Sequence, residues 1–288
     1  MAGKLRLAVA VALAVAVMAG CGRPGSSGGK TLQVKGSDTM VTLGQSWAQA
    51  FMESHPDSQV AVTGGGSGTG FSALINGTCD VAQASREIEP EEVAQAKAKG
   101  RAPKETAVAL DAVVVVVNPS NPVRKLSFEQ LADIYTGKIT NWSQVGGKNR
   151  KVVALSRDKS SGTHVYFLEH VLRKGKAKGP EEYAPNVLML QSSKMIGDEV
   201  ANNPAAIGYF GLGWLTPKQR AIAIAKASTG PYVTPNAKTA ASREYPISRQ
   251  LYLYTDGEPK GDAKAYVDFV LSSEGQGIVA KQDFVPIK

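Results

Sequence analysis

The sequence predicts an α/β fold of two lobes joined by a two-strand hinge. Three observations carry that prediction. From Thr31 onward, short strand-like runs alternate with segments of helical periodicity, the pattern of a mostly parallel sheet covered by helices. The most apolar stretch, Val108–Val117, holds five consecutive valines and suits a buried strand more than a helix. It stops at Asn118-Pro119-Ser120-Asn121-Pro122, whose two prolines mark a boundary. A second strand pattern, Ile247–Tyr254, supplies the return. The expected division is lobe one from residues 31–114 plus 247–288, and lobe two from residues 115–246.

The N-terminus reads as an address. Lys4 and Arg6 precede an uncharged run over residues 7–20, shorter than the ~20 residues a spanning helix needs. A basic start, a short apolar stretch and small residues at its end form a secretory signal over residues 1–20. Met18-Ala19-Gly20-Cys21 resembles the lipobox of bacterial lipoproteins, which makes Cys21 the acylated N-terminus of the exported chain. Residues 21–30, rich in Gly and Ser, are a flexible tether. A lipid anchor places the protein outside the cytoplasm, in the periplasm or on the outer face of the cell membrane. Several acyl chains, at about 0.8 kcal/mol per buried methylene, would hold it there.

In the exported chain, Thr31–Lys35 alternates as a strand. Met40, Leu43, Trp47 and Phe51 then recur at helical spacing. Gln59–Thr63 is a second strand, and Phe71, Leu74 and Ile75 mark a short helix closed by Gly77. Asp80–Ala84 is a third strand and Pro90–Gly100 a helix. Beyond the prolines, Ser127 and Gln130 form a capping box, with Leu126 and Leu131 as its hydrophobic staple. Lys151–Ser156, Ala205–Tyr209 and Ala221–Ala225 are strands. Ala263–Leu271 and Ser273–Lys281 are closing helices, the second with Ser273 and Gln276 in capping-box spacing. Cys79 has apolar neighbours and is expected as inert core.

Four loops share one chemistry. They are Gly36-Ser37-Asp38-Thr39, Gly66-Ser67-Gly68-Thr69-Gly70, Ser85-Arg86 and Ser160-Ser161-Gly162-Thr163. Each follows a strand, and three of them lead into a helix. Ligands of open α/β sheets sit outside the carboxyl ends of strands. Helix starts there present free N–H groups, Gly lets backbone approach an anion, and hydroxyls add donors. Arg86 and Arg157 add charge-assisted donors. Taken singly each loop is a helix cap; four together, with two arginines in or beside them, point to a tetrahedral oxyanion.

Other chemistries fail on spacing. Gly70 is followed by Phe71 rather than Lys, so no phosphate loop of the Walker type exists; the dinucleotide fingerprint also fails. Thr69 occupies the last position of the nucleophile elbow around Ser67. Three histidines and two cysteines offer no metal motif, and no cofactor is expected. Lys174, Lys176 and Lys178 lie among Gly and Ala without interleaved aromatics, which argues against nucleic acid.

The combination of Gly36-Ser37-Asp38-Thr39-Met40, Gly64–Gly70, Asp80–Arg86, Leu126–Gly147 and Arg157–Thr163 resembles the phosphate-binding proteins of bacterial phosphate ABC transporters. Asp111–Pro122, Gly208–Gly213 and Phe284–Ile287 extend the resemblance over nearly all of the exported chain. It implies a type II periplasmic-binding-protein fold, no enzymatic activity, inorganic phosphate as ligand and a membrane permease as partner. By position it implies N–H donation from Thr39 and Met40, with the Thr39 hydroxyl beside them. Ser37 and Ser67 join from the first two loops, Ser161, Gly162 and Thr163 from the fourth, and Arg157 supplies charge. One branch of the family has an Asp where this chain has Ser85-Arg86; that Asp accepts the phosphate proton. Asp38 is the expected replacement, Asp80 is expected to support the loop, and Asp158 to pair with a neighbouring base. Arg86 has two expected roles, ligand contact or lobe support. Sulfate, molybdate or tungstate binding, phosphate sensing and a surface phosphatase are the alternatives. Of the net charge of +8, Lys4 and Arg6 leave with the signal, so the exported chain carries +6.

Overall fold

The computed structural model describes residues 30–287. The export signal, Cys21 and the tether up to Gly29 lie outside the described residues. The chain opens with β1 (Leu32–Gly36), α1 (Val41–Ser54), β2 (Val60–Thr63), α2 (Ser67–Ile75), β3 (Val81–Ala84) and α3 (Pro90–Ala98). The long β4 (Pro103–Val117) leads to β5 (Lys125–Ser127), α4 (Phe128–Tyr135), β6 (Val153–Arg157) and α5 (Gly162–Phe167). Next come β7 (Leu188–Leu190), α6 (Ser193–Asn202), β8 (Ala206–Gly211), β9 (Arg220–Ala221), β10 (Ala223–Ala225) and α7 (Ala237–Ala241). β11 (Ser248–Asp256), α8 (Gly261–Leu271) and α9 (Ser273–Lys281) close the chain.

Apolar spacing marks some helices and capping marks others. Leu43, Trp47 and Phe51 put one fully buried stripe along α1. Ser127 and Gln130 make the expected reciprocal cap of α4, each side chain bonded to the other's N–H. Pro90 sits at the first position of α3, where its missing N–H costs nothing.

The main sheet runs β2-β1-β3-β11-β4-β8-β6-β7, with β9 added against β4. Its two wings are parallel: β1 with β2 and β3, and β6 with β7 and β8. Its centre is antiparallel, because β4 carries the chain out and β11 brings it back. Residues 103–112 of β4 pair with β11, from Pro103↔Asp256 to Ala112↔Ser248. Residues 113–117 pair with β8, from Val113↔Gly211 to Val117↔Ile207. The strand is longer than its apolar run because Pro103–Ala107 is polar and partly exposed.

Two lobes follow from two main apolar cores. One gathers Val34, Met40, Leu43, Trp47, Phe51, Val108, Leu251, Tyr266 and Phe284. The other gathers Val113–Val117, Leu126, Leu131, Trp142, Leu155, Phe167 and Phe210. Each fully buried valine contributes about 1.5–3 kcal/mol of transfer free energy. Cys79 is buried, and burial pushes its thiol up to about 12, as an unreactive core residue.

One expected cap is corrected. Ser272, not Ser273, caps α9, its Oγ accepting the N–H of Gly275 at 3.2 Å. Gln276 turns inward instead. Its Nε2 donates to the carbonyls of Val108 (3.1 Å) and Val270 (2.9 Å), and its Oε1 accepts the N–H of Ile287 (2.9 Å). It thus ties the C-terminal segment to β4. Gln276→Ala strands three backbone groups, and buried unpaired groups cost about 1–3 kcal/mol each when water cannot reach them. The expected outcome is an unfolding free energy lower by at least that order, read as a lower urea midpoint with an unchanged m value.

Candidate functional site

The four loops meet. The first three follow β1, β2 and β3 at their carboxyl ends, and the fourth follows β6 in the other lobe. Ser37 Oγ donates to Ser85 Oγ at 2.9 Å. Ser67 Oγ accepts the Ser85 N–H at 3.0 Å and lies 3.3 Å from its hydroxyl. Thr39 Oγ1 and Thr163 Oγ1, from opposite lobes, are 2.9 Å apart. Ser161 caps α5 by accepting the Thr163 N–H at 3.2 Å. A Cβ at Gly162 would fall 2.4 Å from Ser67 Oγ and 2.7 Å from Ser85 Oγ, so only Gly allows this approach. Gly66, at φ +102°, meets the carbonyl of Ser160 in the same way. Ser37, Thr39, Met40, Ser67, Ser85, Ser161, Gly162 and Thr163 are all buried.

The charged groups hold the cleft shut. Arg157 is fully buried. Its Nε and Nη2 donate to the carbonyls of Leu190 (3.3 Å) and Gln191 (2.7 Å), and its Nη1 to Ser193 Oγ (3.1 Å). That Nη1 also donates across the cleft to Asp38 Oδ2 at 3.0 Å, an oxygen that accepts the Ser193 N–H at 2.9 Å as well. Burial pushes the guanidinium below its ordinary value, and Asp38 pulls it back. Further crossings are Gly68 N–H to the Ser160 carbonyl (3.0 Å), Ser160 Oγ to the Gly65 carbonyl (3.0 Å) and Trp214 Nε1 to the Thr39 carbonyl (3.2 Å).

Three expected residues are placed differently from the loop cluster. Arg86 donates from both Nη atoms to the Glu92 carboxylate, each at 2.8 Å, and to the Glu87 carbonyl, and it covers the Phe71 ring. Of its two expected roles, these contacts serve the lobe. Asp80 lies at the opposite end of β3 from the loop. It accepts the Gln33 N–H and pairs with Lys30, so it pins β1 rather than Ser85-Arg86. Asp158 accepts the N–H and hydroxyl of Ser160, closing its own turn instead of pairing with a base.

Two residues outside the Gly and Ser loops stand at the cluster. Asp111 of β4 and Arg249 of β11 are direct cross-strand partners. Arg249 donates to Asp111 Oδ2 from Nε (3.0 Å) and Nη2 (2.8 Å), and to the hydroxyls of Thr163 (3.0 Å) and Thr39 (3.3 Å). Burial raises the Asp111 carboxyl, opposed by Arg249 and by the N–H of Leu212. A signal existed: Asp111 is the only charged residue within Val108–Val117, and a charge in a buried strand requires a partner. A groove of about 580 Å³ beside the cluster has Arg86, Arg249, Tyr166 and Tyr252 in its walls.

Behind α5, Ser156 Oγ lies 3.1 Å from His164 Nδ1 and 2.5 Å from the Tyr209 hydroxyl, which contacts Tyr183. Ser156 is fully buried and its hydroxyl engaged, so this pair braces the loop and presents no nucleophile. Burial pushes His164 down to about 4 from 6.5. Between those values the unfolded chain binds more protons, so stability rises with pH through that window and is full above it. Acidification from pH 7 to 4.5 is expected to remove roughly 2–3 kcal/mol through His164 alone. His164→Gln should lack that increment when urea midpoints are compared at the two pH values.

No group of three or more metal-ligating side chains occurs among the described residues. No helix among them is long and apolar enough to cross a membrane. Residues 22–274 match the family model of the PBP superfamily domain. The phosphate-binding protein PstS of Bacillus subtilis (strain 168) is 33% identical over 99% of this chain and 94% of its own. A substrate-binding protein from Clostridium perfringens, solved with bound phosphate, superposes with a TM-score of 0.79. It is 30% identical over 90% of this chain and all of its own. An ABC-type phosphate transport receptor from Vibrio cholerae gives a TM-score of 0.70 at 29% identity, over 88% of this chain and 99% of its own.

Proposed function

Because this chain belongs to the PBP superfamily, and within it to the PstS phosphate-binding proteins, we propose that it captures inorganic phosphate between its lobes and delivers it to an ABC transporter. The observation that carries the proposal is the meeting of four hydroxyl-rich loops from both lobes, sealed by the Arg157–Asp38 pair. Hydroxyls and helix-start N–H groups donate hydrogen bonds, as an oxyanion stripped of water requires.

Residues 31–114 plus 247–288 form lobe one, residues 115–246 form lobe two, and β4 and β11 are the hinge. Phosphate enters the open cleft, bonds to one lobe and recruits the other by hinge closure. Thr39 and Met40 donate backbone N–H groups, and Ser37, Ser67 and Ser85 contribute from lobe one. Ser161, Gly162 and Thr163 donate from lobe two, where Arg157 supplies charge. Arg86 acts through Glu92 to hold the third loop. Asp38 accepts the phosphate proton, which sulfate lacks. Binding involves no bond-making step. The closed form is what the permease recognises, and lipid on Cys21 keeps the protein at the outer face of the membrane or in the periplasm.

Sub-micromolar capture requires more than about 8 kcal/mol net. Trp214, bonded to the Thr39 carbonyl, is a built-in reporter of closure. Titration of tryptophan fluorescence with phosphate is expected to saturate below the millimolar range; no saturable response would sink the proposal. Hydrogen bonds to charged groups are worth about 1.5–3 kcal/mol. Asp38→Asn is therefore expected to lower the phosphate-to-sulfate affinity ratio roughly tenfold or more, and an unaltered ratio would retire Asp38 as the proton acceptor.

A further inference from the structure

Arg249 carries donors that the described residues leave without acceptors. A guanidinium only donates. The oxygens of Thr39 and Thr163 therefore accept from its Nη2, and each hydroxyl keeps its own proton to give. One of those protons bridges the two threonines. The other has no acceptor among the described residues. The Nη1 of Arg249 is buried and also has no hydrogen-bond partner among the described residues. Arg249 as a whole is 6% exposed, so bulk water does little to satisfy it. Unpaired donors buried beside two charge-oriented hydroxyls call for an anionic acceptor.

We propose that Arg249 is a second ligand-binding cation of the cleft, delivering its guanidinium and the Thr39 and Thr163 hydroxyls to one face of the tetrahedral oxyanion. This rests on the reading of the cleft as an oxyanion site. Arg249 stands on a hinge strand opposite its register partner on the other, so its place does not depend on either lobe's loops. Asp111 fixes the guanidinium, and the Leu212 N–H fixes Asp111 in turn at 3.1 Å. A Cβ at Gly211 would fall 2.9 Å from Asp111 Oδ2 and 2.8 Å from Thr39 Cγ2, so these groups pack without slack. Polarity adds specificity. With both oxygens accepting from Arg249 and one proton bridging the pair, the two hydroxyls keep one proton to give, so this face takes unprotonated oxygens, while Asp38 offers the acceptor for a protonated one.

The rival role for Arg249 is to neutralise Asp111 and nothing more. The Asp111→Asn/Arg249→Gln double variant separates the two, because it removes both charges and keeps similar volumes. Phosphate and sulfate affinities are measured by calorimetry for wild type, for this double variant and for Arg249→Lys, with thermal melts for folding. The expected result is a folded double variant whose affinity falls roughly 30-fold or more, as the loss of charge-assisted bonds implies. Arg249→Lys, unable to span Asp111 and both hydroxyls at once, is expected to fall roughly tenfold. A folded double variant within threefold of wild type overturns the proposal. If the double variant does not fold, unchanged affinity in Arg249→Lys overturns it instead. Wild type binding sulfate and not phosphate refutes the phosphate reading, and the same variants then test Arg249 with sulfate. Wild type binding neither anion refutes both.

Discussion

A single strand, β4, is hydrogen-bonded into both lobes, and the remaining architecture is arranged around that constraint. Its first ten residues belong to the ladder with β11, and its last five to the ladder with β8. A slip of one residue would turn every side chain to the opposite face, so the two cores hold one another's register. Relative movement of the lobes is left to bending and twisting of β4 and β11. The parallel wings on either side end their strands at the same cleft, which is why loops distant in sequence share one chemistry.

The cleft pairs each buried cation with one acid. Arg157 meets Asp38 across the cleft, and Arg249 meets Asp111 along the hinge. Buried pairs of this kind recover little net free energy, but breaking one leaves an expensive lone charge. Opening the lobes would part Arg157 from Asp38 while leaving its bonds to Leu190, Gln191 and Ser193 within lobe two. The arginine is then held in place and short of a counter-charge. Much of the positive charge elsewhere is on exposed side chains such as Lys104, Lys194 and Lys264, whose surface pairs contribute little and are screened by salt.

Local signals in the sequence determine much of this fold, whereas long-range pairings leave no local pattern. The stripe of α1, the cap of α4 and the loop chemistry all lie within a few residues of one another, where spacing determines geometry. The span around β7 and α6 carries no legible pattern because Leu188, Met189 and Met195 face outward and give no clean periodicity. Ser273 and Gln276 have capping-box spacing, yet the helix starts one residue earlier and Gln276 serves a long-range purpose. Asp111 and Arg249 are separated by 138 positions, and neither lies in a Gly or Ser loop, so no local pattern joins them. Arg86 shows the converse: it sits in the right loop, but Glu92, six residues on, claims its guanidinium.

Cys79 has a practical consequence. Its thiol is buried and held protonated far above neutral pH, so thiolate, the reactive species, is scarce. Among the described residues it is the only cysteine. Among the described residues, a cysteine introduced on an exposed rim of the cleft would be the one thiol open to a maleimide dye. The scaffold can thus be turned into an optical sensor of its ligand without first removing a native residue from the core.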